Sequence, residues 1–163
     1  MSADPFRYRA PRWLRNPHLQ SALSSMLMRR NGGLRALART GARTDEHVVD
    51  GGDGIRLFGL HSHVEGRAPR GLVLLLHGWE GSVESGYMRH TAAHLLERGF
   101  DVFRLNFRDH GETHHLNEGI FHSCRLAEVV HAARWIGERF PTPAYLAAGA
   151  ANASRNAKLP PSE

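Results

Sequence analysis

The stretch GLVLLLHGWEG, residues 71–81, runs five aliphatic residues without a break, Leu72–Leu76, into a turn containing Gly78 and Gly81. An uninterrupted apolar run of this length, with no alternation, is the pattern of a central parallel strand covered on both faces. Reactive groups of open α/β sheets gather at the carboxyl ends of such strands, so the turn after the run is the first place to look for chemistry. Glycines there permit backbone conformations closed to other residues and can aim peptide N–H groups at negative charge developing on an acyl carbonyl oxygen. His77, Gly78, Trp79, Glu80 and Gly81 therefore form a candidate oxyanion loop, with the Trp79 backbone as donor. The simpler reading is a strand-to-helix turn whose glycines serve geometry alone.

Downstream, Met88, Thr91, Ala92, Leu95 and Leu96 keep helical spacing between Glu84 and Arg98, with Ser82 or Ser85 able to cap the start and Gly99 the end. Phe100–Phe107 reads as another strand. Leu126, Val129, Val130, Ala133 and Ile136 mark a second amphipathic helix that stops before Pro141 and Pro143, and Ala144–Ala148 reads as a further strand. Upstream, Glu46–Val49 and Ile55–His61 flank a glycine-aspartate turn and read as a hairpin. A hairpin followed by βαβαβ requires right-handed crossovers and a mostly parallel sheet with helices on its faces, which is the α/β class.

One domain is expected from 163 residues that are 41% hydrophobic. Its parts read as a lead-in segment (1–44) with a short helix over Leu19–Met28 closing near Asn31-Gly32-Gly33, a core (45–149), and a disordered tail (150–163). The single cysteine, Cys124, excludes an internal disulfide. The N-terminus lacks a secretory signal, and no run approaches a membrane span, so a cytoplasmic protein is the default. The formal charge of +5 comes almost wholly from dispersed arginine, with Lys158 the sole lysine and no nucleic-acid-binding pattern, so no nucleic-acid partner is expected. The arginine-dense N-terminus could rest on anionic lipid or an acidic partner, but a solvated basic face is the favoured reading.

LLLHGWEGS, a helix, and then FDVFRLNFRDHGET resemble the α/β-hydrolase superfamily, while PRWLRNPHLQSAL and HLNEGIFHSCRLAEVV resemble its YheT-like, embryogenesis-associated branch, over about residues 10–148. The resemblance implies a serine hydrolase acting on small acyl esters, with Trp79 in the oxyanion-hole position, His77, Gly78 and Gly81 shaping the loop, and no cofactor. It also implies a Gly-x-Ser-x-Gly elbow after the last strand. Here that place falls at Ala150 or Ala151, and Ser154 has Asn152 and Asn156 where glycine is required. A front half of the fold without catalysis of its own is the resulting expectation. The alternative is a binding module that self-associates through its last, exposed strand.

Other constellations compete. His90 and His94 share a helix face without the further ligands of a zinc site, and read as a surface pair. Arg108, Asp109, His110, His114 and His115, with His122, crowd one loop that the resemblance sets near the substrate pocket; loop architecture, without a metal, is the expectation. Cys124 beside His122 reads as a structural thiol, and Asp109 as the organiser of its turn.

Overall fold

The computed structural model describes residues 16, 18, 27–78, 81–120, 125–140, 142–148 and 157–158. Its six strands are β1 (Arg43–Asp50), β2 (Arg56–His63), β3 (Leu72–Leu76), β4 (Asp101–Leu105), β5 (Ala144–Ala148) and β6 (Ala157–Lys158). Its helices are α1 (Leu27–Arg39), α2 (Gly86–Glu97) and α3 (Leu126–Arg139). The strands form one sheet in the order β1-β2-β4-β3-β5-β6. β1 and β2 make the expected antiparallel hairpin, β2 runs antiparallel to β4, and β3 lies parallel between β4 and β5. The hairpin-plus-βαβαβ reading thus matches the fold, with every residue of β3 buried.

Both faces of β3 are covered because its side chains alternate between two cores. Leu72, Leu74 and Leu76 join Val49, Leu57, Phe103 and Leu105 beneath Ala132, Ala133 and Ile136 of α3. Val73 and Leu75 join Val102 beneath Met88, Ala92 and Leu96 of α2. A continuous aliphatic run is therefore required, since a polar residue at any of the five positions would enter one core or the other.

One expectation is corrected. The sequence places the end of the first helix near Asn31-Gly32-Gly33, yet α1 runs through them to Arg39. Gly33 is the reason: a Cβ there would lie 2.9 Å from the Gly86 carbonyl and 3.0 Å from the Arg89 Cβ, so its bare backbone lets α1 approach α2. Tertiary contact outweighs a helix penalty of about 1 kcal/mol for glycine. Leu19–Met26 lie outside the described residues. In the tail, Ala157 and Lys158 pair with Leu146 and Tyr145. Backbone pairing to an open strand edge needs no side-chain periodicity, which explains why the sequence pattern is silent there.

Candidate functional site

β3 and β4 are parallel, so the turn after Leu76 and the loop after Leu105 emerge side by side. His77 links them. It is buried, its Nδ1–H donates to the Gly78 carbonyl (2.9 Å), and its Nε2 accepts the Phe107 backbone N–H (3.1 Å). These two bonds require a neutral imidazole with its proton on Nδ1. Burial holds the pKa below the ordinary histidine value, the bond to Gly78 opposes that shift, and nearby His110 adds to it. The ring also packs on Phe107 and His110, with centroids 4.5 and 4.8 Å away. His77 is a neutral pin between two loops, not an acid or base facing solvent.

The Gly78 N–H donates to the Tyr87 hydroxyl at 2.7 Å, and the Gly81 N–H closes the turn on the Gly78 carbonyl at 3.0 Å. A Cβ on Gly81 would lie 2.8 Å from the Tyr87 hydroxyl and 3.0 Å from the Gly78 carbonyl, so glycine is needed here for space. Trp79 and Glu80 lie outside the described residues.

β4 fastens the next turn from beneath. Asn106 Oδ1 accepts the Val83 N–H (2.8 Å), and the buried Arg104 donates to the Val83 carbonyl (2.9 Å), so one peptide segment is held at both ends. Asn106 Nδ2 donates to the His110 carbonyl (3.0 Å), and its own N–H donates to the Phe58 carbonyl on β2 (2.8 Å). Burial pushes Arg104 down to about 10. Ser85 occupies the N-cap position of α2 without capping it; its Oγ accepts the Ser82 N–H at 2.9 Å. Replacing Asn106 with alanine removes the acceptor of a buried N–H and one tie to the His110 loop. A loss of about 2 kcal/mol is expected, read as a lower urea midpoint.

The loop after β4 divides the remaining candidates. Arg108 is buried and grips Glu128 of α3 through two bonds of 2.7 and 3.2 Å while donating to the Glu118 carbonyl, so its guanidinium ties the loop to α3. Asp109 adopts φ +59°, the left-handed conformation of a turn organiser, and is hydrogen-bonded to the exposed His114. His110 donates through Nδ1 to the Arg108 carbonyl at 2.9 Å. His115 is exposed. Asn117 exchanges two hydrogen bonds with the Arg56 backbone and anchors the loop's far side to β2. Among the described residues, the His110–His115 loop brings no three metal donors together; the group that does so is Asp45, His61 and His63. His94 accepts a hydrogen bond from Arg98, and His90 lies near Gly32 of α1. Ala150, Ala151, Ser154, His122 and Cys124 lie outside the described residues.

Residues 71–145 match a family described as the alpha/beta hydrolase fold. Among solved structures, an esterase of Pyrococcus furiosus, Pf2001, is 19% identical over 68% of this chain and 43% of its own length, with a TM-score of 0.57. XC6422 from Xanthomonas campestris, a member of the a/b serine hydrolases without a lid, is 22% identical over 65% of this chain and 50% of its own, with a TM-score of 0.54. An esterase of Pyrobaculum calidifontis is 16% identical over 82% of this chain and 48% of its own, with a TM-score of 0.52. The chain spans half or less of each neighbour's length. No curated protein matches the sequence. The matched segment and these neighbours place the fold among the α/β hydrolases. Among the described residues no helix is long and apolar enough to cross a membrane.

Proposed function

We propose that this sequence is the front part of a cytoplasmic acyl-ester hydrolase of the YheT-like branch, in which the turn after β3 gives one half of an oxyanion hole through the Trp79 N–H. The observation that carries this reading is the occupation of the preceding donor. With Gly78 N–H bonded to Tyr87 and His77 locked as a neutral pin, the next peptide N–H in the sequence is that of Trp79. Arg108, which bridges to α3, and Asp109, His110, His114 and His115 then form a wall of the substrate pocket. The second N–H of such a hole belongs to the residue after a nucleophile, and these 163 residues contain no Gly-x-Ser-x-Gly. On this reading they do not turn over esters unaided.

Purified chain incubated with p-nitrophenyl acetate and butyrate is expected to show only the slow, unsaturated release caused by surface histidines. Saturable turnover abolished by Ser154→Ala would overturn the reading. A second reading, a self-associating module without catalysis, is favoured by one observation: Leu126 and Val130 lie one turn apart on α3 and are 68% and 42% exposed. Among the described residues, β6 pairs with β5 at Tyr145 and Leu146. Sedimentation of the same sample separates the readings, since a stable, protease-resistant monomer contradicts the second.

A further inference from the structure

At the opposite end of the parallel strands, away from His77, the hairpin and β4 assemble donors of another kind. Asp45 of β1 pairs in register with His61 of β2, and His63 lies two residues further along the same strand, hence on the same face. The His61 and His63 rings stack with centroids 5.0 Å apart, and His63 Nε2 lies 3.0 Å from Asp45 Oδ2. One donor atom from each of Asp45, His61 and His63 lies within 4.8 Å of the other two. Asp101, the first residue of β4, reaches in from the far side: its Oδ2 is 3.8 Å from His61 Nε2, too far for a hydrogen bond.

Two buried atoms in this cluster have no hydrogen-bond partner. His61, only 8% exposed, presents Nε2 to the Asp101 carboxylate without a hydrogen bond, and Asp101 Oδ1 likewise has none. Phe103 and Phe140 wall the inner side of the His61 ring, with centroids 6.1 and 4.4 Å away. Arg43, on the outer side, pairs with Asp45 and Glu65. Bonds of about 2.0–2.1 Å to a tetrahedral zinc ion place neighbouring donors about 3.3 Å apart. The observed 3.0 Å between His63 and Asp45 is close to that spacing, and all three donor atoms lie within 4.8 Å of one another.

We propose that Asp45, His61 and His63 bind a zinc-class divalent ion, with the Asp101 carboxylate beside His61 on the β4 side. The ion gives the buried His61 Nε2, which has no hydrogen-bond partner, a partner and joins β1 to β2. Two imidazoles favour zinc, nickel, cobalt or copper over magnesium and calcium, which take oxygen ligands. The site is separate from the proposed oxyanion loop and does not depend on esterase chemistry.

The test is calorimetric titration of chelator-treated full chain with zinc chloride, accompanied by visible absorption of the cobalt-loaded protein. One zinc per chain, a raised melting temperature and the intense visible bands of tetrahedral cobalt are expected. His63→Ala and Asp45→Asn alter partly exposed side chains, and their urea midpoints without metal verify folding; each is expected to weaken zinc binding at least about tenfold. A His114→Ala, His115→Ala double variant is expected to bind as the parent does. Absence of stoichiometric binding, unchanged binding in both cluster variants, or loss of binding in the loop double variant would each overturn the proposal.

Discussion

Replacement of His77 by alanine is expected to destabilise the protein by about 3 kcal/mol, combining the cavity left by a buried ring with the loss of the acceptor for the Phe107 N–H. His77→Gln should retain more stability than His77→Asn. A glutamine oxygen reaches approximately where Nε2 accepts the bond between loops, whereas asparagine replaces only the local Nδ1 contact with Gly78. The same geometry predicts a pH dependence. The folded state lowers the His77 pKa below its ordinary 6.5, so the unfolded chain binds the proton more readily. The stabilisation is complete above 6.5 and is lost as pH falls from there through the folded pKa. His61, which burial pushes down to about 4, acts in the same direction. The difference between the parent and His77→Gln therefore isolates His77: their urea midpoints, compared at pH 7.5 and pH 5, should converge at the lower pH. Parallel pH profiles would contradict the neutral-pin assignment.

The second large effect concerns Gly59 and Phe103. A Cβ on Gly59 would fall 2.2 Å from Phe103 Cε1 and 2.8 Å from Cζ, because the ring lies across the bare backbone of β2. The ring has little freedom to retreat: it is fully buried, with His47 and Phe140 centroids 5.6 and 5.7 Å away. Gly59→Ala is therefore expected to cost about 2–3 kcal/mol by overpacking, and Phe103→Ala about 4 kcal/mol by leaving a cavity. Each change creates the defect that the other relieves. The double variant should lose less than the sum of the single losses, by about 1–2 kcal/mol, in a four-protein urea-unfolding cycle. Additive losses would place the ring elsewhere.

Sequence alone reached the sheet because its strongest signals are local. Leu72–Leu76 announces burial on two faces, and Met88, Ala92 and Leu96 announce a helix by their spacing. The continuation of α1 was not legible, because the contact that favours Gly33 in a helix comes from Gly86, 53 positions away by the numbering. At the candidate site, the turn from His77 to Gly81 was legible as a motif. The roles of Tyr87, Arg104 and Asn106 were not, since each binds backbone groups rather than forming a recognisable pattern of side chains. The zinc-class cluster shows only as His-x-His on one strand. Asp45 joins it through strand register, which exists only once β1 and β2 have paired, and Asp101 comes beside it only once β4 has paired with β2. Arg108 was expected at the pocket because of the family resemblance of its loop, and its grip on Glu128 required knowledge of where α3 packs.

The position of β3 between β4 and β5 has a consequence for biosynthesis. Leu72 pairs with Asp101 on one side and with Ala144 on the other, so the most apolar strand is made long before its second neighbour. At about 5–20 residues per second, roughly 4–14 s separate translation of the two partners Leu72 and Ala144. Throughout that interval Leu72–Leu76 offers an uncovered ladder edge to any other nascent chain. Yield in a cell should therefore respond to elongation speed and to chaperones that hold apolar segments, even for variants whose finished fold is unaltered.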